Sequence, residues 1–201
     1  DLYQPSRMDD SVPVEDIIGT VAELVKEGKV RHIGVSEINA EQLRKANNVH
    51  PISALEIGYS LADRQIENEL LPAAKELGIA VVAFANTAEG LLSGGLSAPL
   101  SGKDYRQHFS RFQNENLVNN LQKVEILKDL ASSMGFTPTQ LAIAWVRQQG
   151  KHIMPLVSMS KRTRLPENIS AMEIEFSQEE MNTLNTTFAI GAIKGGTYLA
   201  R

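Results

Sequence analysis

The sequence predicts an α/β fold of alternating strands and helices, with about five parallel strands, too few to close a parallel barrel on their own. Two observations carry this. Apolar residues recur at helical spacing in segments that stop at glycine, and short apolar runs without alternation lie between those segments. The clearest run, Ile79-Ala-Val-Val-Ala-Phe-Ala85, suits a strand covered on both faces, as in a parallel sheet. Strand followed by helix, repeated along the chain, implies right-handed crossovers. A doubly wound open sheet is the rival architecture.

The elements follow in order. Residues 1–4 read as the end of a strand. Pro13 opens a helix with Glu15 and Asp16 in its first turn, where they meet the positive end of the helix dipole. Val14, Ile17, Ile18, Val21, Leu24 and Val25 keep to helical spacing, and Gly28 is a natural stop. A strand over 30–36 and a helix over 40–47 come next. Residues 52–57 are strand-like, and 63–77 read as one helix with Ile66, Leu70, Leu71, Ala74 and Leu77 on its apolar face, ended by Gly78. After the strand at 79–85, a Gly/Ser/Pro-bearing segment over 90–114 breaks the rhythm; loops of that length are usually lids or disordered. Helices are expected over 115–133 and 138–149, the second opened by the capping box Thr137-Pro-Thr-Gln140. A strand over 152–157, a helix over 162–171 and a last helix capped by Ser177-Gln-Glu-Glu180 complete a single domain over 1–201, whose glycine-bearing tail over 189–201 is expected to be loose.

Composition removes several function classes. The chain has 201 residues, 42% apolar and 22% charged, which is ordinary for a globular domain. A formal charge of −4 gives no electrostatic case for nucleic acid or an anionic membrane. No stretch approaches the roughly 18 apolar residues of a membrane span. The first seven residues lack the basic start and apolar run of a signal peptide. Cysteine is absent, so disulfides and thiolate catalysis are excluded, and a cytoplasmic home is the default expectation.

Motifs narrow the field further. Neither a G-x-G-x-x-G nor a G-x-x-x-x-G-K-[ST] loop occurs, so the dinucleotide-binding and phosphate-loop versions of a doubly wound sheet lose their best support. Ser110, Ser158 and Ser160 lack a nucleophile elbow. His32, His50, His108 and His152 are scattered, with no metal-ligand spacing. Asp9-Asp10 and Glu179-Glu180 are adjacent pairs that share no helix face, so they read as helix-start charges rather than an acid/base dyad. Trp145, flanked by Leu141, Ala142 and Ala144 on a capped helix, reads as core.

One stretch is specific. Glu23-Leu-Val-Lys-Glu-Gly-Lys-Val-Arg-His-Ile-Gly-Val-Ser36 resembles the aldo-keto reductases, with a helix ending in Lys-x-Gly-Lys and a strand ending in Gly-Val-Ser. The resemblance continues through Tyr59-Ser-Leu, Glu69-Leu-Leu-Pro-Ala-Ala-Lys-Glu-Leu-Gly78, Asp104-Tyr-Arg with Arg111-Phe, Thr137-Pro-Thr-Gln-Leu-Ala-Ile-Ala-Trp145 and Arg164-Leu-Pro-Glu-Asn168. It implies part of a (β/α)8 barrel, a fold that typically takes about 250 residues, matched here from its fourth strand to its eighth. On that reading the first three strand–helix units are absent, and with them the family's catalytic Asp, Tyr and Lys. The catalytic His expected after the first strand is replaced by Ser6, so no catalytic residue is assigned.

The resemblance also implies an NADPH site, weakened or vestigial. Ser36 and Glu37 stand where the family clamps the carboxamide, and Glu56 replaces an amide-bearing Gln. Phe84 keeps the aromatic that stacks on the nicotinamide. Ala85, Thr87 and Glu89 belong to the stretch that faces the pyrophosphate, where Glu89 puts an acid in place of an expected arginine. Ser158, Ser160, Arg164, Glu167 and Asn168 stand around the adenosine phosphate, at the start of a helix suited to anions. For Glu167 and Asn168 plain helix surface is an equal reading. The 90–112 segment aligns with the family's cofactor-covering loop, with an ordinary flexible excursion as the alternative. The class is therefore NADPH-linked carbonyl oxidoreductase, expected to be inactive as this chain alone, with a small carbonyl substrate only if the barrel is completed. A non-catalytic nucleotide- or protein-binding relative, and a self-associating truncated fragment, are the alternatives. Exposed strand edges make a homo-oligomer the expected partner.

Overall fold

Burial on one side of a twisted sheet organises the chain. In the computed structural model, which describes residues 1–9, 11–96, 100 and 102–196, five strands, β1 (Leu2–Tyr3), β2 (His32–Ser36), β3 (Ile52–Gly58), β4 (Ala80–Phe84) and β5 (Ile153–Pro155), lie side by side in chain order. Every pairing is parallel. The order has no reversal, whereas a doubly wound sheet has one at its switch point; the rival architecture is thereby excluded. Among the described residues seven α-helices accompany the strands: α1 (Val14–Lys26), α2 (Ala40–Val49), α3 (Leu70–Glu76), α4 (Asn114–Met134), α5 (Pro138–Gln148), α6 (Arg164–Ser170) and α7 (Gln178–Thr187). No helix among them is long and apolar enough to cross a membrane.

Register sorts the side chains into two faces. Val35, Leu55, Val81 and Ile153 are aligned across four strands and all are buried. They join one apolar core with Ile18 and Val21 of α1, Leu43 and Ala46 of α2, and Ala73 and Ala74 of α3. One residue further along, Ser36, Glu56, Val82 and Met154 form the next aligned row and point to the opposite face, as the period of two requires. That face is more open: Glu56 and Val82 are half-buried and Met154 is 50% exposed.

Three departures from the sequence expectation have physical causes. The helix expected over 63–77 is instead a 3-10 turn, Gln65–Glu67, and the short α3. Pro72 lacks the N–H that an upstream carbonyl would need, which confines it to a first helical turn, and Glu69 just before α3 is non-helical at φ −139°. The 90–114 segment is not featureless: it carries 3-10 turns at Leu91–Ser93, Tyr105–His108 and Ser110–Phe112, and Leu91 and Leu92 are fully buried. Its residues 97–99 and 101 lie outside the described set.

The tail is the third departure, since its described part is docked. The Lys194 N–H donates to Asn120 Oδ1 at 2.8 Å, the Asn120 side chain donates back to Lys194 O, and the Arg111 N–H donates to Gly196 O at 3.2 Å. Gly195, at φ +76°, lies so close that a Cβ there would meet the Arg111 N at 2.5 Å. Only glycine fits both demands. Residues 197–201 of the expected loose tail are outside the described set.

Trp145 is core, as its helix pattern predicts. Its ring is fully buried, 5.3 Å from that of Tyr59, with the Arg64 guanidinium 4.9 Å from its centroid and its Nε1–H donating to Asn185 Oδ1.

Candidate functional site

Parallel strands end together, and their carboxyl ends deliver the loops that make a site. A cleft of about 780 Å³ opens there, beside β4 and β5. Phe84 lines it from the end of β4, Ala85, Thr87 and Glu89 from the segment after β4, Ser158 from the segment after β5, and Arg164, Glu167 and Asn168 from α6. Eight of the residues singled out in the sequence thus converge on one place.

The wall after β4 is a strained turn. Ala85, Ala88 and Glu89 adopt left-handed backbone, φ +57°, +50° and +53°, ahead of Gly90 at +86°. Each such non-glycine residue costs about 1 kcal/mol or more and persists only where its surroundings hold it. Asn86 supplies part of that hold. Its side chain is buried and donates to Ala83 O at 2.9 Å and Tyr59 O at 3.3 Å. The 105–108 turn supplies the rest: Arg106 Nη1 donates to Glu89 O at 2.9 Å while Asp104 grips the guanidinium from Nε and Nη2. Those bonds from the Arg106 side chain, then one from its backbone N–H, hold the Asp104 carboxyl down at about 2.

Glu89 behaves differently from the sequence expectation of an acid placed to repel phosphate. Its side chain is only 5% exposed and is turned toward Arg111, 3.9 Å from Nη1. Neither carboxylate oxygen has a hydrogen-bond partner among the described residues. Arg111, itself 2% exposed, gives both Nη groups to Asp63. Burial first, then the negative charge of Asp63, push the Glu89 carboxyl up to about 7, against the opposing pull of Arg111 and Arg106.

On α6, Glu167 is not plain helix surface. It accepts from the Thr137 hydroxyl at 2.9 Å, and its backbone carbonyl accepts from the Gln140 side chain, so it fastens α6 to the start of α5. Asn168 beside it is buried and Arg164 is exposed. The helix has seven residues and no side-chain N-cap, so the anion-suited start expected for it is a single short turn.

The remaining expected residues lie elsewhere. Ser36, Glu37 and Glu56 stand at the ends of β2 and β3, outside the cleft lining. Ser36 is buried, and Glu37, in left-handed backbone at φ +52°, accepts from Arg7 Nε at 2.7 Å instead of standing open. Ser6, just past β1, is exposed, and so is Ser160, which the cleft does not include. Tyr59 is no proton donor: it is buried, donates to Glu67 Oε1 at 2.8 Å, and burial followed by the Glu67 charge raises its phenol well above the usual range. Among the described residues no cluster of His, Asp and Glu could hold a metal.

Nine further lining residues were given no individual role in the sequence, among them Asn86, Thr139, Tyr105 and Arg106. The Asp104-x-Arg106 spacing was the available signal for Arg106, since an acid two residues before a base can brace it.

A NADP-type ligand fits one end of this arrangement and not the other. The Arg164 cation and the Ser158 hydroxyl can meet phosphate, and Glu167 and Asn168 can meet an adenine edge. At the carboxamide end Glu56 offers no N–H and Glu37 is engaged by Arg7.

Comparison with known proteins agrees with the geometry. The model of the aldo/keto reductase family matches residues 1–187. A probable aldo-keto reductase from Glycine max is 38% identical over 199 residues, 98% of this chain and 58% of its own length. The solved structure of a glycerol dehydrogenase from Gluconobacter oxydans superposes with a TM-score of 0.84 at 25% identity, over 98% of this chain and 61% of its own. A thermostable aldo-keto reductase, solved with the inhibitor epalrestat, gives 0.73 at 25% identity over 93% and 59%. The chain therefore spans about three-fifths of the length of these relatives.

Proposed function

The chain belongs to the aldo/keto reductase family, and we propose that it is the nucleotide-holding side of an NADPH-linked carbonyl oxidoreductase barrel that reduces no carbonyl by itself. The observation that carries this is the convergence of eight expected cofactor residues on one cleft at the strand ends. On this reading the five strands are the later part of a (β/α)8 barrel, consistent with the greater length of the relatives.

Bound NADPH supplies the hydride; the rest of the chemistry belongs to the protein. Arg164 and Ser158 would hold phosphate, Glu167 and Asn168 would orient the adenine end, and Phe84 would offer a ring face to the nicotinamide. A carbonyl oxygen that gains negative charge needs a proton donor. Ser6 can donate one hydrogen bond but has no imidazole's charge or reach, and Tyr59 is committed to Glu67. Binding without turnover follows. The open sheet face, with Met154 at 50% and Leu156 at 48% exposure, and the free edges at Leu2 and Tyr3, favour a covering copy of the chain.

The test is a fluorescence titration with NADPH to millimolar concentration, paired with an aldehyde-reduction assay on the same purified 201-residue sample. Saturable binding with no reduction above the blank is expected. Reduction by the chain alone overturns the inactivity; no response at millimolar NADPH overturns the cofactor reading.

A further inference from the structure

A buried acid, Glu89, and a half-buried one, Asp63, share one base behind the cleft wall. Arg111 has both Nη groups on Asp63, leaving Glu89 3.9 Å away with nothing donated to either oxygen among the described residues. The other cation within reach, Arg106, is gripped by Asp104 and gives its remaining Nη to the backbone carbonyl of Glu89, not to its carboxylate. On the open side of the wall the cleft presents Arg164 and Glu167 from α6. The charged groups that act on Glu89 are Asp63 from the turn before 65–67, Arg111 from 110–112 and Arg106, with its mate Asp104, from the 105–108 turn; the α6 pair lines the same cleft. A buried carboxylate with no donor is costly, and a phosphate brought to the same wall adds a further like charge.

We infer that a phosphate-bearing ligand enters this cleft together with a proton, which the Glu89 carboxyl takes from solvent and holds while the ligand is bound. The inference rests on the cofactor reading above and adds to it a specificity-determining residue. The Glu89 carboxyl already titrates near neutrality in the free chain, at about 7, so the uptake falls in an accessible pH range. The balance is simple: one proton leaves the buffer, neutralises one carboxylate, and returns on ligand release.

The experiment is calorimetric titration of the 201-residue chain with NADP⁺ at pH 6, 7 and 8, each in buffers of different ionisation enthalpy, run in parallel on Glu89→Gln. The phosphate of NADP⁺ titrates in both proteins, so the difference between them isolates Glu89. The wild-type chain is expected to take up close to one extra proton at pH 8 and little at pH 6. Its affinity should weaken by up to about tenfold per pH unit above 7 relative to the variant. Equal proton uptake and parallel pH profiles in the two proteins overturn the inference while leaving the cofactor reading intact. Heat of binding in neither protein at any pH overturns both. Should Glu89→Gln fail to fold, buffer-dependent heats of the wild-type chain with ADP-ribose, which has no group titrating near neutrality, decide alone: no uptake at pH 8 overturns the inference.

Discussion

Replacing Glu89 with Gln should change how stability depends on pH. The carboxyl titrates near 7 in the fold against an ordinary 4.5, because burial and Asp63 disfavour its charge. Raised in the folded state, it contributes stability that is present in full below about pH 4.5 and is lost as pH rises through about 7. At about 1.4 kcal/mol per pH unit the interval amounts to about 3 kcal/mol. Glutamine keeps the shape and carries no charge, so the variant lacks this loss. Urea unfolding of both proteins at half-unit steps from pH 5 to 8.5 gives the comparison, with ΔG extrapolated to water. The variant should gain on the wild-type chain by about 2.5 kcal/mol between pH 5 and 8, with most of the change between 5.5 and 7.5. Stability curves that stay parallel across that range would refute the claim that a buried, unpartnered carboxyl stands at position 89.

Further outcomes follow from the same geometry. Arg111→Met leaves the half-buried Asp63 and the buried Glu89 carboxylates without their shared base, and should cost about 3–5 kcal/mol in denaturant unfolding, more at pH 8 than at pH 6; a loss under 1 kcal/mol would contradict the placement. Leu55→Ala removes a fully buried side chain from the middle of the aligned row and should cost about 2–5 kcal/mol, read from the urea midpoint. Purified at tens of micromolar, the 201-residue chain should sediment as a dimer or larger, and Met154→Lys on the open face should shift it toward monomer; a monodisperse wild-type monomer counts against a covering copy.

What could be read from the sequence was what depends on periodicity. The run at 79–85 carries its burial in its composition, and the cap at Thr137 is visible as a spaced Thr and Gln; both elements form where expected, within a residue or two. The break before α3 was less visible because the apolar spacing through Ile66, Leu70 and Ala74 is helical, while Pro72 permits a helix only from just upstream. Phe84, Glu167 and Asn168 reached the cleft as their motif positions suggest. The direction of the Glu89 side chain was hidden. It depends on left-handed backbone at Ala85, Ala88 and Glu89, none of them glycine, and on an arginine 22 positions away in the sequence. Residue type alone says acid; only the fold says that the acid faces inward. Glu37 failed in the same way, since Arg7 occupies it across 30 residues of chain.

The docked tail makes Arg111 a residue held at its backbone and at its side chain from distant segments. Gly196 holds its backbone N–H and Asp63 holds its guanidinium, so the main chain and the side chain of the same residue answer to segments more than 130 residues apart in sequence. The charge balance behind the cleft therefore leans on residues 194–196, which settle against Ser110, Arg111 and Asn120. Ending the chain at residue 190 removes the backbone anchor from Gly196 and the Lys194–Asn120 bonds while leaving every cleft residue in the sequence. Such a chain should keep its sheet and lose the sharp titration of Glu89.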